Sequence, residues 1–497
     1  MMALRLVALL GALALAGCVV GPDFKQPEAP KAEHYTALKL ALELPDSDAE
    51  QKVVAGSEVS AEWWKMFGSK PLDQLIKRGL ANSQTVAAAR ARLLAVQENL
   101  NSQVGSVLYP SFDANGSASR QKISGTAFGG ASRIYNLYNA SVSASYGVDL
   151  FGASRRYLET LEAQIDYEQY QLQAARMTLA ANIVTATVKE ASLRRQIKAT
   201  RQMITDSESL LAMVEQQARL GAVPQAAVLS QRSALAQTRT AMPELQKQLE
   251  QNRHLLNVLV GDLPAETSLP EFTLDALHLP QSLPLSLPSE LVRQRPDILG
   301  SEALLHQASA NVGLATANMY PRITLTGSYG NESSGTGNLF NAGSTVWGAG
   351  AGLLQPLFHG GELRAKKRET MATYDQAQAN YRETVLQAFR DVADTLLALE
   401  MDGRSLALQR EAEAAAAETL ELVQQQYQAG AASYLELLQS NQQHQQAVIN
   451  RAKAEAARFA DSAALIHALG GGWWNKPVAR TAQTATKQSD TSMESTP

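Results

Sequence analysis

Few side chains in this sequence are placed for catalysis. A single cysteine, Cys18, in 497 residues leaves no intrachain disulfide and no Cys-rich metal site. No H-E-x-x-H, C-x-x-C, G-x-S-x-G or phosphate-loop pattern occurs. Gly348, Gly350 and Gly352 lack the spacing of a dinucleotide loop and suit a strand. His359-Gly360-Gly361 has the letters of an oxyanion-hole fragment, but its adjacent glycines read as a chain bend. The tryptophan pairs at 63–64 and 473–474 read as packing anchors. With 44 Lys+Arg against 48 Asp+Glu the net charge is -4, so there is no basic excess for nucleic acid. These counts predict neither an enzyme nor a cofactor or metal protein. Two chemical features remain: the Cys18 thiol, and the pair Ser433 and Glu436, whose S-x-x-E spacing can cap a helix start.

Cys18 ends a leader. Arg5 is the only charge before it, Leu6 to Ala16 are apolar, and Leu15-Ala16-Gly17-Cys18 resembles the bacterial lipobox. That pattern implies cleavage after residue 17, a diacylglycerol on the thiol and an acyl chain on the new amino group. Val19 is not the aspartate that retains lipoproteins in the inner membrane. Several acyl chains, each CH₂ worth ~0.8 kcal/mol when buried, would anchor the chain to the outer membrane from the periplasm. Farther along, no apolar run reaches the ~18–20 residues of a spanning helix. A membrane crossing must therefore use strands.

The elements repeat. Tyr109-Pro110 recurs as Tyr320-Pro321, Leu150-Phe151-Gly152 as Leu357-Phe358 with Gly360, and the Gly221 segment as that of Gly430, each about 210 residues later. Each half reads helix, strand, loop, strand, long helix, turn, helix. Proline disfavours helix in the residue before it, so the first helix of each half ends at Pro110 or Pro321. The strands are expected at about 111–119 and 139–149, then 322–329 and 346–354, with apolar and small polar residues alternating. Such two-faced strands of ~9–11 residues are the pattern of a membrane β-barrel.

After Gly152, Leu158, Ile165, Leu172, Leu179, Ala186 and Leu193 recur in steps of seven, then Ile197 and Ile204 after a step of four. Val385, Val392, Leu399 and Leu406 repeat the pattern in the second half. Sustained heptads mean helix packed on helix, and a four-residue stutter relaxes the supercoil. Nearly seventy proline-free residues extend roughly 100 Å as helix. Both rods stop at glycine: Gly221 precedes Pro224, and Gly430 precedes Ser433, so each half ends in a helical hairpin with a tight turn.

Two strand hairpins per chain cannot leave unpaired edges in lipid. Four strands therefore close only by association into eight, twelve or sixteen, and periodicity does not choose the number.

Trp63-Trp64-Lys65-Met66-Phe67, Gly147-Val148-Asp149-Leu150-Phe151-Gly152, Arg295-Pro296-Asp297-Ile298, and Pro356-Leu357-Phe358-His359-Gly360-Gly361-Glu362-Leu363-Arg364 resemble motifs of the TolC-like outer-membrane efflux proteins. Gly21-Pro22-Asp23 after Cys18 is similar to the OprM/NodT lipoprotein branch. The resemblance implies an α+β membrane protein and a homotrimer. Its twelve-stranded barrel in outer-membrane lipid would continue through a mixed equatorial region into a periplasmic α-barrel tunnel. It also implies a periplasmic adaptor and an inner-membrane RND pump as partners, with small toxic molecules as cargo. From the family's gate the resemblance carries over Leu435 as an apolar constriction, Glu436 as an acidic ring, Gln439 where some members have Asp, and the gate-region aromatic Tyr427. The hairpin tips at Gly221, Pro224, Gly430 and Ser433 become contacts for adaptor and pump. Pro110, Gly152, Pro321, Gly360 and Gly361 become strand–helix junctions.

The expected order is a signal peptide (1–17), a lipidated segment (18–64), a first repeat (65–270), a linker (271–287), a second repeat (288–472) and a disordered tail (473–497). Two alternatives stay open. A conduit for type I protein secretion differs by its pump, and a lipid-anchored coiled-coil scaffold would conduct no ions.

Overall fold

A computed structural model describes residues 19–32, 34–36, 51–124, 131–266 and 269–475. The signal peptide, Cys18 and the tail beyond residue 475 lie outside the described residues. In chain order the strands and helices are β1 Lys52–Ala55, α1 Lys70–Asn82, α2 Gln84–Leu108, β2 Ser111–Ile123, β3 Arg133–Val148, α3 Ala153–Arg219 and α4 Gln225–Val260. There follow β4 Ser282–Leu285, α5 Pro288–Gln294, α6 Pro296–Ala317, β5 Arg322–Ser333, β6 Thr345–Leu354, α7 Glu362–Gln428 and α8 Tyr434–Ala468. No described helix is long and apolar enough to cross a membrane.

Contacts divide the described chain into two compact units, and each takes pieces of both repeats. The first holds the residues up to Ala32 with Leu80–Arg176 and Arg295–Asp391; the second holds those within Glu33–Gly79 and Met177–Gln294 and from Val392 onward. The 67-residue helices α3 and α7 contribute to both.

In the first unit the strands form one antiparallel sheet in the order β2-β3-β5-β6. The strands outrun the expected spans: β2 continues to Ile123 and β3 begins at Arg133, because Arg120↔Asn136 through Ile123↔Arg133 keep pairing. β5 likewise runs to Ser333. The extensions mix charged, polar and apolar residues on both faces, so no clean alternation marks them; backbone pairing holds them, with Tyr135 Oη donating to Gln121 Oε1 (3.2 Å).

The second unit is mainly helical. Leu179, Ala186, Leu193 and Ile197 of α3 are buried there, as are Val392, Leu399 and Leu406 of α7. Trp63, Phe67 and Phe459 form an aromatic centre, with the Phe67 and Phe459 rings 6.0 Å apart. Full burial of one such side chain stabilises by roughly 1.5–3 kcal/mol. β1 pairs in parallel with β4, so the expected linker 271–287 carries a strand. The start of the expected disordered tail is also held: Trp473 Nε1 donates to the Gln294 carbonyl (2.9 Å), and Asn475 Nδ2 to that of Val59 (2.9 Å).

Candidate functional site

Register assigns every strand residue to one of two faces, since side chains alternate and paired residues share a side. One face carries Asp113, Asn115, Ser143, Thr326 and Ser328, with glycines 348, 350 and 352 opposite the β5 threonines and serine. The other carries Phe112, Val142, Tyr146, Leu325, Tyr329 and Trp347. A polar face widened by glycine suits a water-filled lumen, and an aromatic and aliphatic face suits lipid.

Helix meets strand at residues of fixed backbone. Tyr109 is extended before Pro110, as the proline requires. Gly152 has φ +83°, and Gly360 and Gly361 have φ +57° and +89°, so the triplet at 359–361 is a bend. Tyr320, before Pro321, stacks on Phe151 at 4.8 Å. An N-terminal strap lies against this region. Val20 N–H donates to the Phe151 carbonyl (3.2 Å), and a Cβ on Gly152 would meet Val19 Cγ1 at 2.8 Å. Arg156 donates to Asp23 (2.7 Å) and Glu159 (2.8 Å). Burial alone would lower the pKa of Arg156, but these two carboxylates raise it above its usual value. Phe24 stacks on His306 at 4.4 Å, and Gln26 donates to Glu302 (2.7 Å). Gly21-Pro22-Asp23 is legible as a motif, but the contacts of this strap are not, since its partners lie more than 130 residues away.

The second unit holds both helical turns. Gly221 has φ +77°; its N–H donates to the Ala218 carbonyl, and that of Ala222 to Gln217 (2.9 Å). Gly430 has φ +74°, with Ala431 N–H donating to Gln426 (2.8 Å). Both are glycine-terminated helix ends in which the left-handed residue lets the next N–H reach back. Pro224 and Ser433 occupy the following N-cap positions. At Ser433 the cap is reciprocal: Glu436 N–H donates to Ser433 Oγ (3.2 Å), and Ser433 N–H to Glu436 Oε2 (2.6 Å). The backbone donor at Ser433, with its hydroxyl, holds the Glu436 carboxyl below the usual range, so it stays anionic at neutral pH. Tyr427 packs on Tyr434 with rings 5.6 Å apart. Leu435 is 43% exposed, beside exposed Glu436 and Gln439. Leu435, Glu436 and Gln439 thus lie in the first turns of α8, with Tyr427 at the end of α7 across the same turn, and Glu436 does the work of a cap.

A family model described as "Outer membrane efflux protein" matches residues 75–262 and 287–471. The chain is 32% identical over 422 residues to the pyoverdine export outer membrane protein OpmQ of Pseudomonas aeruginosa, covering 83% of this chain and 87% of that protein. It is 30% identical over 474 residues to the probable efflux pump outer membrane protein TtgC of Pseudomonas putida, covering 94% and 95%. Among solved structures, the outer-membrane channel OprN superposes with a TM-score of 0.81 at 26% identity, covering 92% of this chain and all of that one. The chain belongs to the outer membrane efflux protein family, as an OprM-like channel component of an efflux system in the outer membrane, with the TolC-like fold.

Proposed function

We propose that three copies of this chain form the passive duct of a tripartite efflux assembly, joined at the helical turns to a periplasmic adaptor and an inner-membrane RND pump. The observation that carries the reading is a sheet whose outermost strands, β2 and β6, are each paired on one side only. Each unpaired N–H or C=O in hydrocarbon costs several kcal/mol, so copies must pair edge to edge. Twelve strands leave an open lumen, whereas eight are filled by side chains. A second observation supports association: Met401, Leu408 and Leu422, with Ala415 between, form an exposed heptad stripe on α7.

Cys18 carries a diacylglycerol and an N-acyl chain in this reading. The packing of Val19 and Val20 on the junction at Phe151 and Gly152 supports it, because it would hold the lipid beside the barrel's periplasmic rim. No catalytic step and no other cofactor is assigned. The relatives' names speak of pyoverdine export and efflux pumps. By analogy with these and with relatives named for antibiotic and solvent efflux, the cargo is a class of small molecules such as drugs or other toxic compounds, selected upstream by the pump.

Leu435 forms the apolar constriction of the closed duct, with Glu436 beside it and Gln439 and Tyr427 lining the same turn. Leu435→Gly combined with Glu436→Ala should raise single-channel conductance in planar bilayers and antibiotic leakage in cells. Conductance equal to that of the unaltered chain would remove the constriction from this turn.

A further inference from the structure

The lipid-suited face of the sheet ends in two cations. Along β3 this face runs from Val148 to Tyr138 without a charged side chain, and its register partners in β2 and β5 carry none either. Ten residue steps of ~3.3 Å, tilted by about 40°, rise about 25 Å, the height of the apolar band of an outer-membrane barrel. The next pair on this face is Asn136↔Arg120, followed by Ile134↔Lys122. Both cations are exposed, and no carboxylate among the described residues pairs with either. Arg133 and Glu332 lie at the same end of the sheet but fall on the polar face. In the second hairpin the same rim ends in Asn331, Ser333 and Thr345, so the charge belongs to the first hairpin alone.

The opposite ends of the strands lead through Pro110, Gly152 and Pro321 into the helices, and the strap that follows Cys18 lies against Gly152. With the helices in the periplasm, as the proposed function has it, the rim at Arg120 meets the outer leaflet. That leaflet is built from a phosphorylated glycolipid. We propose that Arg120 and Lys122 form a docking surface for the phosphate groups of this outer-leaflet lipid. Two same-face residues two positions apart stand about 7 Å from each other, Arg offering a bidentate fork and Lys a point charge. At the edge of hydrocarbon these contacts are less screened than on an open surface, and the acyl chains of the same lipid cover the aromatic face below.

The test uses the purified full-length protein in detergent and measures retention of bisphosphorylated lipid A by native mass spectrometry, with dephosphorylated lipid A and inorganic phosphate as controls. Arg120→Gln with Lys122→Gln should weaken retention at least about tenfold, as expected for the loss of two interfacial cations. Arg120→Lys with Lys122→Arg should retain lipid, and so should Arg133→Gln on the polar face. Equal retention by the double glutamine variant, equal retention of dephosphorylated lipid, or displacement by millimolar inorganic phosphate would each overturn the proposal. Should the glutamine variant not assemble, the charge-preserving and polar-face variants still decide it: loss in the former or equal loss in the latter counts against it. The orientation is tested separately by reacting Lys122→Cys in intact cells with an impermeant thiol reagent. Reaction only after permeabilisation would reject the membrane orientation itself, whatever the lipid result.

Discussion

Arg458 is only 1% exposed, yet it is an ionisable group on an apolar helix contact. Its guanidinium donates to the Leu399 carbonyl of α7, and Gly403, without a side chain, leaves it room. Burial lowers the Arg458 pKa to about 10, and burial together with the neighbouring carboxyl of Asp402 pushes Asp461 up to about 7. The protonated form of Asp461 is therefore the one the fold prefers. Its contribution to stability is fully present below the usual carboxyl value near 4 and lost as pH rises through about 7. Asp461→Asn, which keeps the shape of the protonated acid, should melt above the unaltered protein at pH 8, with a smaller margin at pH 5. Thermal loss of the helical circular dichroism signal measures this, and a margin independent of pH would refute the buried pair. Sequence alone gave no access to this cluster, because Asp402 and Asp461 are 59 residues apart and meet only through helix packing. Glu436 is the opposite case, legible from S-x-x-E because a cap is made by neighbours three residues apart.

Among elements, length and contrast decided what could be foreseen. The long helices were visible because a heptad repeated over tens of residues survives local noise, and their ends because glycine takes the left-handed conformation that the turn demands. Strand ends were not, since beyond the apolar band charged, polar and apolar residues mix on both faces and period two vanishes. β1 and β4, four residues each, carry too little pattern to register. The packing of the strap was invisible for a further reason: it fits by absence of side chains. A Cβ on Gly21 would lie 2.5 Å from Gly313 Cα, and one on Gly313 would lie 2.8 Å from Arg156 Cδ. Gly313→Leu should therefore displace Arg156 from Asp23 and free the strap. Limited proteolysis should then cut within residues 19–32 several-fold faster than in the unaltered protein. Undiminished protection would show that the close approach at Gly313 is not what holds it.

For the whole molecule, closure is the requirement that local structure cannot meet. A cysteine at Ala349 of β6, paired in turn with one at each position from Ala114 to Ala118 of β2, should give at least one combination that oxidises to a covalent ladder ending at three chains on denaturing gels. No ladder from any pairing would mean that β2 and β6 of neighbouring copies do not meet. The two compact units each draw on both repeats, so neither repeat is a separable folding unit, and expression of residues 65–270 alone offers no shortcut.

The two long helices, α3 and α7, are both 67 residues, and their returning partners α4 and α8 are 36 and 35. Such parity restricts which insertions and deletions a gene of this kind can tolerate. Losing one heptad from α3 alone would draw its turn back by about 10 Å relative to that of α7. A partner gripping both turns would then find one of them out of reach. Changes of length must therefore come in fours, matched in both arms of both hairpins. The reach of the duct is thus fixed by a quantity no single mutational event can adjust.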